Sequence, residues 1–160
     1  MLEKLRSELR RSVKIIKGGE EITPRFRVFA HDGDYVVFNP LPEDITIRHA
    51  RMDLVRRYMV WKQATGFIVS GESIEPDAVT ALAVWRDAGS NKTRAQGLFQ
   101  MITRNGPHKP TFTPEQQAGE EMAGDMLALL PKFEERLSQD ELIELENLMG
   151  EDGAFVVEQL

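Results

Sequence analysis

The sequence predicts an α+β fold: a mainly antiparallel sheet of four to five strands in ββαββ(β) order, with an N-terminal helix and a helical C-terminal third. Two pairs of β-rich runs flank turn residues, an amphipathic segment separates the pairs, and both ends of the chain show helical periodicity. We expect 160 residues to form one domain, 1–160, made of an N-terminal amphipathic helix (1–19), an α+β core (22–112) and an acidic helical part (113–160).

The first predicted helix spans Leu2–Lys17, where apolar residues recur every three or four positions before Gly18-Gly19 ends the segment. Its opposite face is basic. Such a face is typical either of a helix that binds nucleic acid, here through Arg10, Arg11 and Lys14, or of a helix that is docked on the protein with one solvated face. The narrow apolar stripe without an aromatic anchor favours the docked helix.

The first hairpin is predicted from the runs Arg25–Ala30 and 35–38. Asp32-Gly33 between them is a strong signal for a type I′ turn, because both central residues of that turn need positive φ. A two-residue loop there would place Ala30 on the same face as Tyr35. Both faces of the hairpin carry apolar side chains, so we expect both to be covered.

A second helix is predicted from Asp44 or Ile45 to Ala64, after the proline-rich segment 39–42, which predicts extended structure. Placed at 100° per residue, its apolar side chains fall on two arcs, and each arc needs a partner. The sheet is one partner, and a terminal helix or a second subunit is the other. The second arc consists of Met52, Val55 and Met59.

A second hairpin is predicted from the runs 67–72 and 79–86, and alternation over Thr93–Thr103 favours a fifth strand over a helix. Beyond it, Thr113 followed by proline at the next position is a helix start, and the pattern predicts a helix over 114–130. The C-terminal third is therefore expected to be helical.

A last helix is predicted from a capping box, Ser138 followed by Glu141 three residues later. The glycines within 150–153 end this helix, and the apolar tail 154–160 could add a strand to the sheet or serve as a docking segment.

Composition excludes several classes of function. The chain has no cysteine, which rules out disulfides, thiol catalysis and cysteine-based metal centres. It shows neither a phosphate-binding glycine loop nor a serine nucleophile elbow, and its three histidines form no metal-binding pair along the sequence. No stretch is apolar enough for a signal peptide or a membrane span, so a cytoplasmic protein without a cofactor is expected.

The strongest candidate site is the turn end of the second hairpin. Ser70 and Glu72 project on one face of a strand that leads to a loop containing Asp77. Carboxylates so placed could act as acid and base or hold a divalent cation together with a histidine. The competing interpretation is a solvated strand end with a polar turn. His49, four residues before Asp53 on the second helix, is a further candidate binding residue, and its alternative role is to support that helix.

Six arginines between positions 25 and 57 raise the question of phosphate binding. Their predicted positions lie on different faces, so no single basic patch emerges. They are Arg25, Arg27, Arg48, Arg51, Arg56 and Arg57.

The sequence as a whole favours a small soluble non-catalytic binding protein, homodimeric through the second arc of the helix 44–64 or through the terminal helices. An enzyme or divalent-metal protein that uses Glu72, Asp77 and a histidine is the alternative. Nucleic-acid binding through the basic face of the first helix is a third hypothesis. No catalytic residue is assigned, and the sequence favours a protein without enzymatic activity over an enzyme.

Overall fold

The fold is seen in a computed structural model, which describes residues 1–38, 44–149 and 156–160. Helix α1 covers Leu2–Lys17, α2 Ile45–Trp61 and α3 Gln139–Met149, and two short 3-10 helices cover Glu120–Met122 and Gly124–Leu129. The strands are β1 (Arg25–Ala30), β2 (Gly33–Phe38), β3 (Gly66–Ser73), β4 (Ala78–Arg86), β5 (Thr93–Thr103), β6 (Thr111–Phe112), β7 (Gln116–Ala118) and β8 (Val156–Gln159).

All eight strands belong to one antiparallel sheet in the spatial order β6-β5-β4-β3-β1-β2-β8, with β7 also paired to β5. Helix α2 connects β2 to β3 across β1, which lies between them and pairs with both. β3 runs antiparallel to β1, with Gly66 opposite Phe29 and Ser70 opposite Arg25. The β1–β2 turn and the β3–β4 turn therefore lie at opposite ends of the sheet.

Both faces of the sheet are covered, as predicted for the first hairpin. On one face α1 buries Leu5 and Leu9 against strand residues such as Ile68 and Leu98. On the other face α2 buries Tyr58 among apolar side chains of β1, β2, β3 and β4. Alternation along each strand divides its side chains between these two cores.

The turn of the first hairpin differs from the prediction. Ala30 is opposite Gly33 and Val28 is opposite Tyr35, so the two-residue loop is His31-Asp32 and not Asp32-Gly33. Gly33, with φ +139°, is the first residue of β2. The pairing of β1 with β2 is therefore shifted by two residues from the predicted register. Side chains of a strand alternate between its faces with a period of two, so each side chain still lies on its predicted face.

The second apolar arc of α2 is covered by the chain itself. Val55 and Met59 are fully buried in the same core as Leu129 and Met149, which come from the second 3-10 helix and from α3. A terminal helix is therefore the second partner, and the arc offers no basis for a second subunit. The first turn of α2 is not covered in this way, because the side chains of Ile45 and Ile47 are exposed.

Two parts of the predicted fold class are wrong. Within the described residues the sheet has eight strands and not four to five, so the ββαββ(β) order describes only part of it. The C-terminal third is not mainly helical, because 114–130 forms β7 and two 3-10 helices in place of the predicted helix. The hydroxyl of Thr113 is not a helix cap, because its Oγ1 accepts a hydrogen bond from the backbone N–H of Met101 at 2.9 Å.

The other C-terminal predictions are confirmed in the described residues. Ser138 and Glu141 form the capping box of α3, with the N–H of Ser138 donating to Glu141 Oε1 at 3.1 Å and the N–H of Glu141 donating to Ser138 Oγ at 3.2 Å. β5 is the predicted fifth strand, and β8 adds the tail to the sheet. The predictions for 39–42 and 150–153 lie outside the described residues. Among the residues described, no helix is both long and apolar enough to cross a membrane.

Candidate functional site

The four candidate residues of the sequence occupy three different environments. Glu72 and Asp77 lie together at the β3–β4 turn. Ser70 is on the same strand as Glu72 but is 1% exposed beneath α1. His49 is exposed on α2, which packs on the opposite face of the sheet. The structure thus brings the two carboxylates together and separates both of them from His49.

The two carboxylates lie at a groove of about 620 Å³. Its walls are the end of α1 with the segment that follows it, the β3–β4 turn and the segment that follows β5. Its lining residues are Ile16, Gly19, Glu20, Glu21, Ile22, Glu72, Ile74, Asp77, Arg104 and Pro110. We call this the turn groove.

Arg104 joins the two carboxylates of the turn groove. Its Nε donates a hydrogen bond to Asp77 Oδ2 at 2.9 Å, and its Nη2 donates to Glu72 Oε1. The hydrogen bond with Asp77 is the main cause that raises the pKa of Arg104, so the guanidinium stays charged. Sequence reasoning missed Arg104. The available signal was strand pairing, because β5 lies antiparallel to β4 with Met101 opposite Ala78 and so brings residue 104 to the β3–β4 turn.

The turn groove is acidic and partly apolar. Four carboxylates line it, from Glu20, Glu21, Glu72 and Asp77, against the single guanidinium of Arg104. Beside them lies Ile74, which is 86% exposed and is the most exposed large apolar side chain of the described residues. Such a surface attracts a positively charged group and offers apolar contact next to it.

Ser70 belongs to a charged cluster beneath α1 and not to the turn groove's ion pairs. Arg11 Nη2 donates to Ser70 Oγ at 3.5 Å. The centre of the cluster is Glu8, which is 2% exposed on the inner face of α1 and accepts hydrogen bonds from Arg25. We call Glu8 together with Arg11, Arg25, Arg27 and Ser70 the Glu8 cluster. Because it lies between α1 and the sheet, we assign it a structural role.

The pKa of Glu8 reflects opposing influences. Burial alone would raise it, but the hydrogen bonds from Arg25 and the positive charges of Arg25, Arg11 and Arg27 together lower it below its ordinary value. Glu8 is therefore ionised at neutral pH.

Ion pairs occupy part of the basic face of α1. Lys4 contacts Asp34 at 3.7 Å and Arg6 contacts Glu115 at 3.0 Å. Arg11, one of the three residues in the nucleic-acid hypothesis, contacts Glu8 at 3.4 Å. Arg10 and Lys14 are exposed. Of these three residues, phosphate binding by Arg11 would have to compete with a carboxylate partner.

Ion pairs are also formed by arginines between positions 25 and 57, among them Arg25, Arg27, Arg56 and Arg57. Arg25 and Arg27 contact Glu8 beneath α1, at 2.7 and 3.6 Å. On α2, Arg56 contacts Glu135 at 2.7 Å and Arg57 contacts Glu144 at 3.3 Å. These four lie on two faces of the sheet and form no common surface, as the sequence predicted.

Asp53, the proposed partner of His49, contacts Arg57 Nε at 3.0 Å. Over the described ranges, no group of three or more His, Asp or Glu side chains is placed to hold a metal ion.

No family model matches the chain, and no curated protein and no solved structure is significantly similar to it.

Proposed function

We propose that this chain is a non-catalytic binding protein and that its turn groove receives a basic segment of a partner protein. The observation that carries the proposal is the position of Arg104, whose guanidinium contacts Glu72 and Asp77 at the wall of an otherwise acidic groove.

The Arg104 ion pairs favour recognition over catalysis. Glu72 and Asp77 are both already bound to the guanidinium of Arg104, as in an ion-pairing surface. The alternative predicted from the sequence joined Glu72 and Asp77 to a histidine, and the described lining of the groove contains none.

The chemistry of the partner follows from charge complementarity. Glu20 and Glu21 are exposed on one wall, and Glu72 and Asp77 lie on the other. A lysine or arginine side chain between these walls would meet carboxylates on both sides, while Ile22 and Ile74 offer contact for an apolar neighbour. We therefore expect a segment in which basic and apolar residues alternate. Exposed charges steer such an encounter, and salt weakens it.

A homodimer was the other expectation for a binding protein. The second arc of α2, one of the two surfaces predicted to form it, is covered by α3 and the second 3-10 helix, and the terminal helices were the other. The proposal names a different protein as the partner because the turn groove is acidic and suits a basic segment.

Fluorescence anisotropy with a labelled peptide of alternating lysine and leucine tests the proposal. The control peptide carries glutamate in place of each lysine. We expect the wild-type protein to bind the lysine peptide and not the glutamate peptide, with an affinity that falls as salt is added.

Two matched double variants distinguish an effect of the turn groove on peptide binding from an effect of the protein's net charge. Glu20→Lys combined with Glu21→Lys should weaken binding about tenfold or more, because two attractive charges become repulsive. Asp125→Lys combined with Glu146→Lys changes the net charge equally at exposed positions outside the groove lining and should have little effect. Equal binding of both peptides, or equal effects of both double variants, would overturn the proposal.

A further inference from the structure

A second feature, at the opposite end of the sheet, has the composition of a cation-binding cage. The ammonium Nζ of Lys62 lies 4.5 Å from the centre of the Tyr35 ring and 4.6 Å from the centre of the Trp61 ring. Both distances are within the range in which an aromatic face attracts a cation. Lys62 is the first residue after α2, and Tyr35 is on β2 close to the β1–β2 turn.

A carboxylate completes the cage. Asp32, in the β1–β2 turn, has its Oδ2 3.6 Å from Lys62 Nζ. The hydroxyl of Tyr35 donates to that same oxygen at 2.9 Å and accepts a hydrogen bond from Lys62 Nζ at 3.4 Å. The hydrogen bond from Tyr35 is the main cause that lowers the pKa of Asp32, which keeps this carboxylate ionised.

The rings are held in place by the core and not by Lys62. Tyr58, which is 1% exposed, makes edge contacts with both of them, at 6.1 Å from the Tyr35 ring and 5.8 Å from the Trp61 ring. Tyr35 is itself part of the apolar core between the sheet and α2. These ring contacts do not involve the lysine, so they remain available to both rings when the hydrogen bond from Lys62 to Tyr35 is lost.

Lys62 has the properties of a displaceable occupant. It follows the last turn of α2, its side chain is 18% exposed and so reaches solvent, and its ammonium group makes polar and cation–π contacts in the cage. A primary ammonium is strongly hydrated and gains much from returning to water. A quaternary ammonium has no N–H to hydrate and gains relatively more from aromatic faces, which is why aromatic cages recognise such groups.

We propose that Tyr35, Trp61 and Asp32 form a binding site for a quaternary ammonium group, and that Lys62 occupies this site in the free protein and leaves it when the ligand binds. The ligand class includes both small cations of the choline type and trimethylated lysine in a peptide, because both present the same trimethylammonium group.

The indole N–H signals of the two tryptophans make the test specific. Tetramethylammonium chloride is titrated into the full chain while both signals are followed by NMR, with sodium chloride at equal ionic strength as the control. The Trp61 signal should shift and saturate. Trp85 lies on β4 and is not part of the cage, so its signal serves as the internal reference for the fold.

Two variants test displacement. Lys62→Ala and Lys62→Gln remove the resident cation, and each should bind tetramethylammonium about tenfold more tightly than wild type, because a competing cation–π contact is lost. Lys92→Ala, at an exposed lysine in a loop, should bind like wild type. The change Trp61→Ala in the Lys62→Gln protein should abolish saturable binding.

Two further titrations distinguish the sources of the ligand. Choline represents the small cations, and a short peptide with trimethylated lysine, compared with its unmodified form, represents the modified proteins. The proposal is overturned if neither Lys62 variant, with an unchanged Trp85 signal, binds more tightly than wild type, or if sodium chloride reproduces the shift.

Discussion

Arg25 on β1 donates two hydrogen bonds to the buried carboxylate of Glu8 on α1, from Nη2 to Oε1 at 2.7 Å and from Nε to Oε2 at 3.0 Å. Arg27 and Arg11 contact the same carboxylate at 3.6 and 3.4 Å. Arg27 also contacts Asp34 at 2.9 Å, so two carboxylates, of which that of Glu8 is buried, compensate three guanidinium groups between the first helix and the sheet.

We expect Glu8→Gln to destabilise the protein by about 3–5 kcal/mol, because removing one partner of a buried ion pair leaves the guanidinium of Arg25 without its carboxylate. Glu3→Gln is the matched control. Glu3 lies on the same helix and contacts an arginine, Arg6, but is exposed, so its loss should cost less than about 1 kcal/mol. Urea unfolding monitored by circular dichroism measures both. Equal losses would contradict a special role for the Glu8 cluster.

Stability should fall in acid partly through Glu8. Its pKa in the folded protein is below the ordinary value of 4.5, since the stabilising arginines outweigh the effect of burial. The unfolded chain therefore binds the proton more tightly. The contribution of Glu8 is complete above the unfolded pKa and disappears as the pH falls through the folded pKa.

Unfolding free energies measured between about pH 6 and about pH 3 test this effect. The wild-type protein should lose more stability over that range than Glu8→Gln, which cannot titrate at this position. The same pH dependence in both proteins would show that Glu8 does not contribute.

Gly66 should not tolerate a side chain. A Cβ at this position would lie 2.8 Å from Trp85 Cβ and 3.0 Å from the carbonyl oxygen of Val84, both on the neighbouring strand β4. We expect Gly66→Ala to cost about 1–3 kcal/mol through overpacking. Gly89→Ala is the control, since a Cβ there has no heavy atom within 4 Å. Thermal unfolding of both variants checks the difference, and a loss for Gly89→Ala as large as that for Gly66→Ala would argue against the close approach.

Features set by neighbouring residues were predictable from the sequence. The capping box of Ser138 and Glu141 depends on two residues three positions apart, and it forms as the pattern indicates. The first two strands and their two buried faces followed from alternation. The turn between them was misplaced, because the Asp-Gly signal did not identify which residue would end the loop.

The error at 114–130 has a tertiary cause. The backbone N–H of Thr113 donates to the carbonyl oxygen of Met101 at 3.0 Å, and β7 then pairs with Gly97–Phe99 of β5. The open edge of β5 thus outweighs the local helix signals. Gly124, with φ +47°, further interrupts the helical pattern.

The candidate site was only half predictable for the same reason. Glu72 and Asp77 are close in sequence and were found, whereas Arg104 reaches them only through the pairing of β4 with β5. The Lys62 cage likewise joins the β1–β2 turn to the end of α2. Contacts between distant segments of this kind leave no periodic pattern in the sequence.

The most direct measurement of the proposed function compares Arg104→Ala with Arg94→Ala in binding the lysine–leucine peptide. Both arginines are exposed on or just beyond β5, and each contacts an aspartate, Arg104 with Asp77 and Arg94 with Asp87. Removing Arg104 frees two carboxylates in the turn groove, so the peptide should bind about three- to tenfold more tightly. Arg94→Ala, which removes the same charge outside the turn groove, should leave the affinity near that of wild type. Weaker or unchanged binding by Arg104→Ala would contradict the assignment of the turn groove as the site for a basic segment.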